Sequence, residues 1–286
     1  MLHLSDRGYA AWGFGFRFES TDELLRDVVS RCYRDLPPAT GPVHVLRAVQ
    51  PGADRRFDLT IEAPDGTVER CGDGRTGAAV LELVCWEVNR RATGSVATRA
   101  ALHAAVIGGP LGAVALCATS HSGKSTLAAA AARRGWHHLS DDMGLLDVEA
   151  MTVIPYARPI MLRPGGRDRL GGPPRPPAPH MEFMADEWFL PASELGAVVS
   201  PEPRPLVAVG FLEWRDAAVL EPLSRARTLH DLLLHSATAA MQGAEGFSQL
   251  ERVARVVPGL RVGLGAPDDV LDLLAPLVGY PDQRHV

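Results

Sequence analysis

The chain has 286 residues and a mass of 30.7 kDa, with 46% hydrophobic and 22% charged residues, enough for one large or two modest domains with a substantial core. A formal net charge of −5 and a pI near 6.1 give no basis for general binding to nucleic acid or anionic membranes, so any phosphate binding must be local. Cys32, Cys71, Cys85 and Cys117 lack C-x-x-C spacing, and no N-terminal stretch reads as a targeting signal, so a reducing cytoplasm is the expected location.

In chain order, aromatic-rich Ala11–Phe18 reads as a strand, and Ser20 with Glu23 resembles a capping box opening a helix to about Tyr33. Val43–Val49, Phe57–Ala63 and Gly66–Arg70 read as short strands, the last two joined at the turn Pro64-Asp65-Gly66. Val80, Leu83, Val84 and Val88 have helical spacing within Gly77–Arg91. The polar stretch Ala92–Arg99 is the expected boundary between a small N-terminal α/β domain, residues 1–95, and a second domain, residues 96–286.

The second domain begins with the apolar runs Ala101–Ile107 and Leu111–Cys117, joined at Gly108-Gly109-Pro110 as a hairpin. These breaks, with His103, divide the most apolar stretch into strand-length pieces and argue against a membrane span. An alanine-rich helix follows from Lys124 to Arg134, closed by Gly135. Further strands are expected at His137–Ser140, Gly144–Val148 and Thr152–Tyr156, forming a mixed sheet. Pro164–Pro179 reads as an irregular connection, offering Arg167, Arg169 and Arg175 to a nucleotide or an acidic peptide. Met181–Leu190 is expected to fold against the core. Strands at Leu206–Glu213 and Leu260–Gly263 and helices at Thr228–Met241, Ala244–Val256 and Pro267–Val278 complete the domain.

One lysine stands out. Lys124 is the only lysine among 29 basic residues, and it lies between Gly123 and Ser125. By composition alone, about one lysine in a hundred would have Gly before it and Ser or Thr after it. A strand, a tight turn and a helix start surround it, which is the phosphate-loop pattern. Backbone N–H groups of Ala118, Thr119, Ser120, His121, Ser122, Gly123, Lys124, Ser125 and Thr126 would cradle phosphate oxygens. Lys124 would reach the β- and γ-phosphates, and the Ser125 hydroxyl would serve Mg²⁺. Ala118 stands where the pattern has its first glycine, so the turn must follow another backbone path or bear strain. Asp141-Asp142 ends a strand expected beside the loop strand, where one carboxylate suits Mg²⁺ and the other a hydroxyl proton.

His103, the loop ending Gly123-Lys124-Ser125, and Leu139-Ser140-Asp141-Asp142 together resemble the catalytic domain of the HPr kinase family, bacterial serine kinases related in fold to PEP carboxykinase. The resemblance covers residues 101 to 145. It implies an α/β fold with a PEP carboxykinase-like P-loop kinase core, and ATP and Mg²⁺ as cofactors. It also implies that His103 lines the active site, Asp141 acts as base and Ser125 and Asp142 serve the metal. Arg158 and Arg163 are the candidates for neutralising the transferring phosphoryl group, with Arg163 preferred. Thr126, where the family has an acidic residue, and the absent glycine-rich downstream signature separate this chain from kinases acting on HPr. The expected reaction is γ-phosphoryl transfer to a hydroxyl, a serine of a peptide or protein first and a small hydroxy amino acid second. A third reading is an ATP-binding regulator without transfer. Homo-oligomers occur in the family and are an option here.

Overall fold

The computed structural model describes residues 3–4, 7–51, 56–171 and 187–281. It is a mixed α/β fold in two compact units, one built from residues up to 96 together with 187–188 and one built from residues 97–171 and 189–281.

The first unit comprises β1 (His3–Leu4), β2 (Tyr9–Ala11), β3 (Phe14–Ser20), α1 (Glu23–Cys32), β4 (His44–Val49), β5 (Phe57–Glu62), β6 (Val68–Gly74) and α2 (Gly77–Ser95). Its sheet runs β1-β3-β4-β5-β6, with β2 also paired to β3. The expected single strand at Ala11–Phe18 is instead the β2–β3 hairpin, turned at Trp12, whose φ is 53°. The cap of α1 is Asp22 rather than Ser20: its carboxylate accepts from Leu25 N at 2.9 Å, while Ser20 Oγ donates to Ala48 O. Leu25, Val28, Val29 and Cys32 repeat at three and four residues and form the buried face of α1. Helix α2 continues through the polar residues 92–95, because Ala92 is still on its buried face.

The second unit carries a nine-stranded sheet ordered β10-β8-β9-β15-β12-β11-β7, with β17 beside β15 and β16 beside β17. Its strands are β7 (Ala100–Leu102), β8 (Ala104–Gly109), β9 (Gly112–Cys117), β10 (His137–Ser140), β11 (Gly144–Asp147), β12 (Thr152–Ile154), β15 (Arg204–Trp214), β16 (Val219–Pro222) and β17 (Gly259–Leu264). Short strands β13 (Ile160–Leu162) and β14 (Trp188–Leu190) lie outside it. Every residue of β8 and β9 is buried, as expected for strands covered on both faces. Helices are α3 (Lys124–Arg133), α4 (Pro164–Arg169), α5 (Arg225–Leu234), α6 (Ala239–Gln242), α7 (Ala244–Val256) and α8 (Pro267–Val278).

Several expectations for this unit change. Thr228–Met241 is not one helix: the chain breaks after Leu234, and Thr238 donates to Arg99 O while accepting from Ala101 N. The Pro164–Pro179 stretch opens with α4, and residues 172–186, including Arg175 and the start of Met181–Leu190, lie outside the described residues. Finally, β10 pairs with β8 rather than with the loop strand β9, so the Asp141-Asp142 strand is one position further out.

The run Ala101–Ile107 is broken at His103. Before it, β7 pairs with β11; after it, β8 pairs with β9 and β10. The chain changes partner again between β10 and β11, at Asp141–Met143. Because β7 and β8 run beside β11 and β10, these two changes of partner are neighbours in space, and Ala104 N donates to Asp142 O at 3.1 Å. Two segments 39 residues apart thus meet where neither backbone is committed to one ladder.

Candidate functional site

Strand β9 ends at Cys117, its parallel neighbour β15 ends at Trp214, and β17, parallel to β15 on the other side, ends at Leu264, so the loop 118–123 leaves the C-terminal edge of a parallel set. That edge is where open α/β sheets place ligand sites. Gly123 caps α3 with φ of 91°, a left-handed conformation that glycine adopts without penalty. His121 also has positive φ, at 66°, whereas Ala118 does not. The loop therefore makes its left-handed turns at His121 and Gly123 and needs none at the alanine. This is the alternative backbone path expected from the missing first glycine.

Lys124 folds back over this turn. It is 6% exposed, and its Nζ donates to Ala118 O at 2.8 Å and Thr119 O at 2.9 Å. Burial lowers its affinity for the proton, with Asp142 and Asp141 opposing that effect. Thr119, Ser120 and His121 are exposed, with Thr119 and Ser122 hydroxyls bonded to each other at 2.9 Å.

The next residue, Ser125, connects the loop to the acidic pair: its Oγ donates to Asp141 Oδ2 at 2.9 Å. The same oxygen accepts from Met161 N at 3.0 Å. Asp141 is 1% exposed, and its Oδ1 is buried without a hydrogen-bond partner among the described residues. Burial pushes its carboxyl up, against Arg158 and the Met161 amide.

Asp142 differs in every respect. Its φ of 86° turns the backbone sharply after β10, and its side chain is 36% exposed. His103 Nε2 donates to Oδ1 at 2.6 Å and Arg158 Nη1 to Oδ2 at 2.9 Å. Burial alone would raise this carboxyl, but the His103 hydrogen bond and the charges of Arg158, His103 and Lys124 outweigh it and bring it down to about 2. One acid of the pair is thus deep and strained toward neutrality, and the other is open and firmly ionised.

The two arginines separate. Arg158 is buried and bound to Asp142. Arg163, the preferred candidate from sequence, caps α4 and lies against the His121 ring, 2.6 Å from Nε2, beside the phosphate loop rather than on the carboxylates. His235 is a site residue that sequence reading did not single out. Its carbonyl accepts from His103 N at 2.7 Å, and burial followed by the charges of His103 and Lys124 lowers its proton affinity. No local pattern marks it, since it follows an ordinary helix end.

No protein-family model and no curated protein matches the chain. Among solved structures it is similar to the HPr(Ser) kinase/phosphatase from Coxiella burnetii, at 12% identity, over 62% of this chain and 87% of that one, with a TM-score of 0.30. At that score the geometry of the site, rather than the likeness, carries the functional reading.

Hard oxygen donors, the type Mg²⁺ takes together with substrate phosphates and water, are present here: the Ser125 hydroxyl bonded to Asp141, the orphaned Oδ1 of Asp141, and the partly exposed carboxylate of Asp142 that follows it in the chain. Among the described residues no group of three or more His, Cys, Asp or Glu forms a metal cage. No described helix is long and apolar enough to cross a membrane.

Proposed function

We propose that this chain is an ATP-dependent phosphotransferase with a PEP carboxykinase-like P-loop core, moving the γ-phosphoryl group to an alcohol, with a serine of a peptide or protein as the acceptor. The observation that carries this reading is the hydrogen bond from Ser125 to buried Asp141, which joins the end of the phosphate loop to a carboxylate whose other oxygen lacks a partner among the described residues. A loop hydroxyl and a carboxylate so joined are the pair with which P-loop enzymes hold a nucleotide-bound Mg²⁺. Ser125 and Asp141 would hold that ion, which when bound supplies charge neutralisation to the β- and γ-phosphates.

The remaining roles follow from exposure and charge. Lys124 exchanges its carbonyl partners for phosphate oxygens. The acceptor oxygen attacks the γ-phosphorus, the bond to the β-phosphate bridging oxygen breaks, ADP leaves, and the hydroxyl proton passes to Asp142. Asp142 suits that role because it is the accessible carboxylate, and His103 and Arg158 hold it in one orientation. This division exchanges the roles that sequence reading assigned to the two aspartates. In a loose transition state the proton moves late, so a weakly basic, well-oriented carboxylate suffices. Arg163, on the loop side, is positioned for the phosphate chain. Because Ala118 makes no left-handed turn, its presence gives no reason to prefer a nucleotide sensor that transfers nothing.

The test is transfer from γ-labelled ATP to a panel of serine peptides, proteins and hydroxy amino acids, for the wild type, Lys124→Ala and Asp142→Asn. Label should reach an alcohol only with the wild type. Undiminished transfer by both variants would refute the assignment, and ATP binding without transfer to any acceptor would favour a regulator.

A further inference from the structure

A pocket opens beside the phosphate loop, lined by Gly123, Thr126, Leu127, Trp214, Leu264 and Pro267. Three of these residues come from the loop and its helix, and two end the parallel strands β15 and β17. Trp214 is 52% exposed at a strand end, where a large aromatic ring gains little from packing. The Arg169 guanidinium, on α4, stacks over that ring at 4.3 Å from its centroid. Helix α4 reaches this place because Gly166 lies so near α3 that a Cβ there would stand 2.7 Å from Thr126 Oγ1.

We propose that Trp214 is the stacking platform for the base of the bound nucleotide, a role that rests on the phosphate-site reading above. The residues say why. Gly123 belongs both to the phosphate loop and to the pocket wall, and Thr126 and Leu127 are the second and third residues beyond Lys124. A nucleotide with its terminal phosphates at Lys124 therefore has its other end directed along the first turn of α3, toward the indole. Apart from Thr126 and the Arg169 guanidinium, the side chains that line it are aliphatic or aromatic, the chemistry that holds a nucleobase by its faces. A guanidinium at 4.3 Å leaves no room for a base on the same face, so the base takes the place of Arg169 on the ring.

The experiment compares ATP with inorganic tripolyphosphate, which has the phosphates and no base, by calorimetry in the presence of Mg²⁺. The wild type should bind ATP about tenfold more tightly than tripolyphosphate. Trp214→Leu should lose about that factor for ATP and none for tripolyphosphate, while Trp214→Phe, which keeps a ring, stays within about threefold for both. Arg169→Ala should bind ATP as well as the wild type or better. Equal wild-type affinity for the two ligands, or full ATP affinity in Trp214→Leu, overturns the platform and leaves the phosphate site standing. Equal loss of both ligands in Trp214→Leu assigns the residue to supporting the loop and also overturns it. A wild type that binds neither ligand removes the phosphate-site reading, and the platform with it.

Discussion

Neighbouring aspartates with opposite environments should respond to the same substitution in opposite ways. In Asp142→Asn the carboxylate that accepts from His103 and Arg158 is replaced by a neutral amide. Its fall from the ordinary 3.8 to about 2 is worth about 2.4 kcal/mol at about 1.4 kcal/mol per tenfold change in proton affinity. With 36% of the side chain exposed, solvent screening reduces this to about 1 to 1.5 kcal/mol, or a Tm lower by about 2 to 6 °C for a unit of this size. Because the folded form holds the proton less tightly than the unfolded chain, this stability is fully present above about pH 5. It fades as pH falls from 3.8 toward about 2. Asp141→Asn should do the reverse. Burial raises that carboxyl, so ionised Asp141 destabilises the fold at neutral pH, and the cost disappears in acid, where the group is protonated. The asparagine variant should therefore be at least as stable as the wild type at pH 7 and lose that advantage on acidification. Urea unfolding of the three proteins from pH 7 down to about pH 2 measures both curves. The reasoning fails if Asp142→Asn is as stable as the wild type at pH 7, or if Asp141→Asn is the less stable variant.

Lys124→Arg keeps the charge but puts a planar, wider group where a compact ammonium bonds two carbonyls; turnover should fall at least about a hundredfold, and steady-state kinetics showing a smaller loss would contradict it. Gly123→Ala forces a Cβ into the left-handed region, 3.3 Å from Leu264 Cδ1, and should cost about 1 to 2 kcal/mol in urea unfolding; unchanged stability would mean the loop is not held at that φ. Burial pushes the Cys117 thiol up to about 12, so a thiol reagent at pH 8 should modify half-buried Cys71 first and reach Cys117 only after denaturation. Peptide mapping that finds Cys117 labelled as fast as Cys71 would disprove this.

Much of the second unit was legible because its signals are local. Glycines and apolar runs mark the β8–β9 hairpin within a few residues, and helix α8 begins and ends where Pro267 and Gly279 say it should. What was hidden depends on partners distant in sequence. The run Ala101–Ile107 looks continuous, because nothing in its alanines reveals that β7 and β8 serve different neighbours. The break after Leu234 is likewise set by Thr238 reaching back to Arg99 and Ala101. In the site, the residue types were readable from spacing, but their environments were not. Asp141 and Asp142 are chemically identical in the sequence, and only burial and the arrival of His103 and Arg158 distinguish them. Trp214 gave no signal at all, since its meaning comes from ending a strand three positions beyond Phe211, the register partner of the loop strand's last residue, Cys117.

A chain with a single ε-amine is also a spectroscopically simple object. Protein labelled with ¹⁵N only at lysine Nζ would give one side-chain resonance, and that resonance would belong to the atom bonded to Ala118 and Thr119. Every ligand that displaces those carbonyls would move one line in an otherwise empty spectrum, so the chain carries its own reporter of occupancy without any engineered probe.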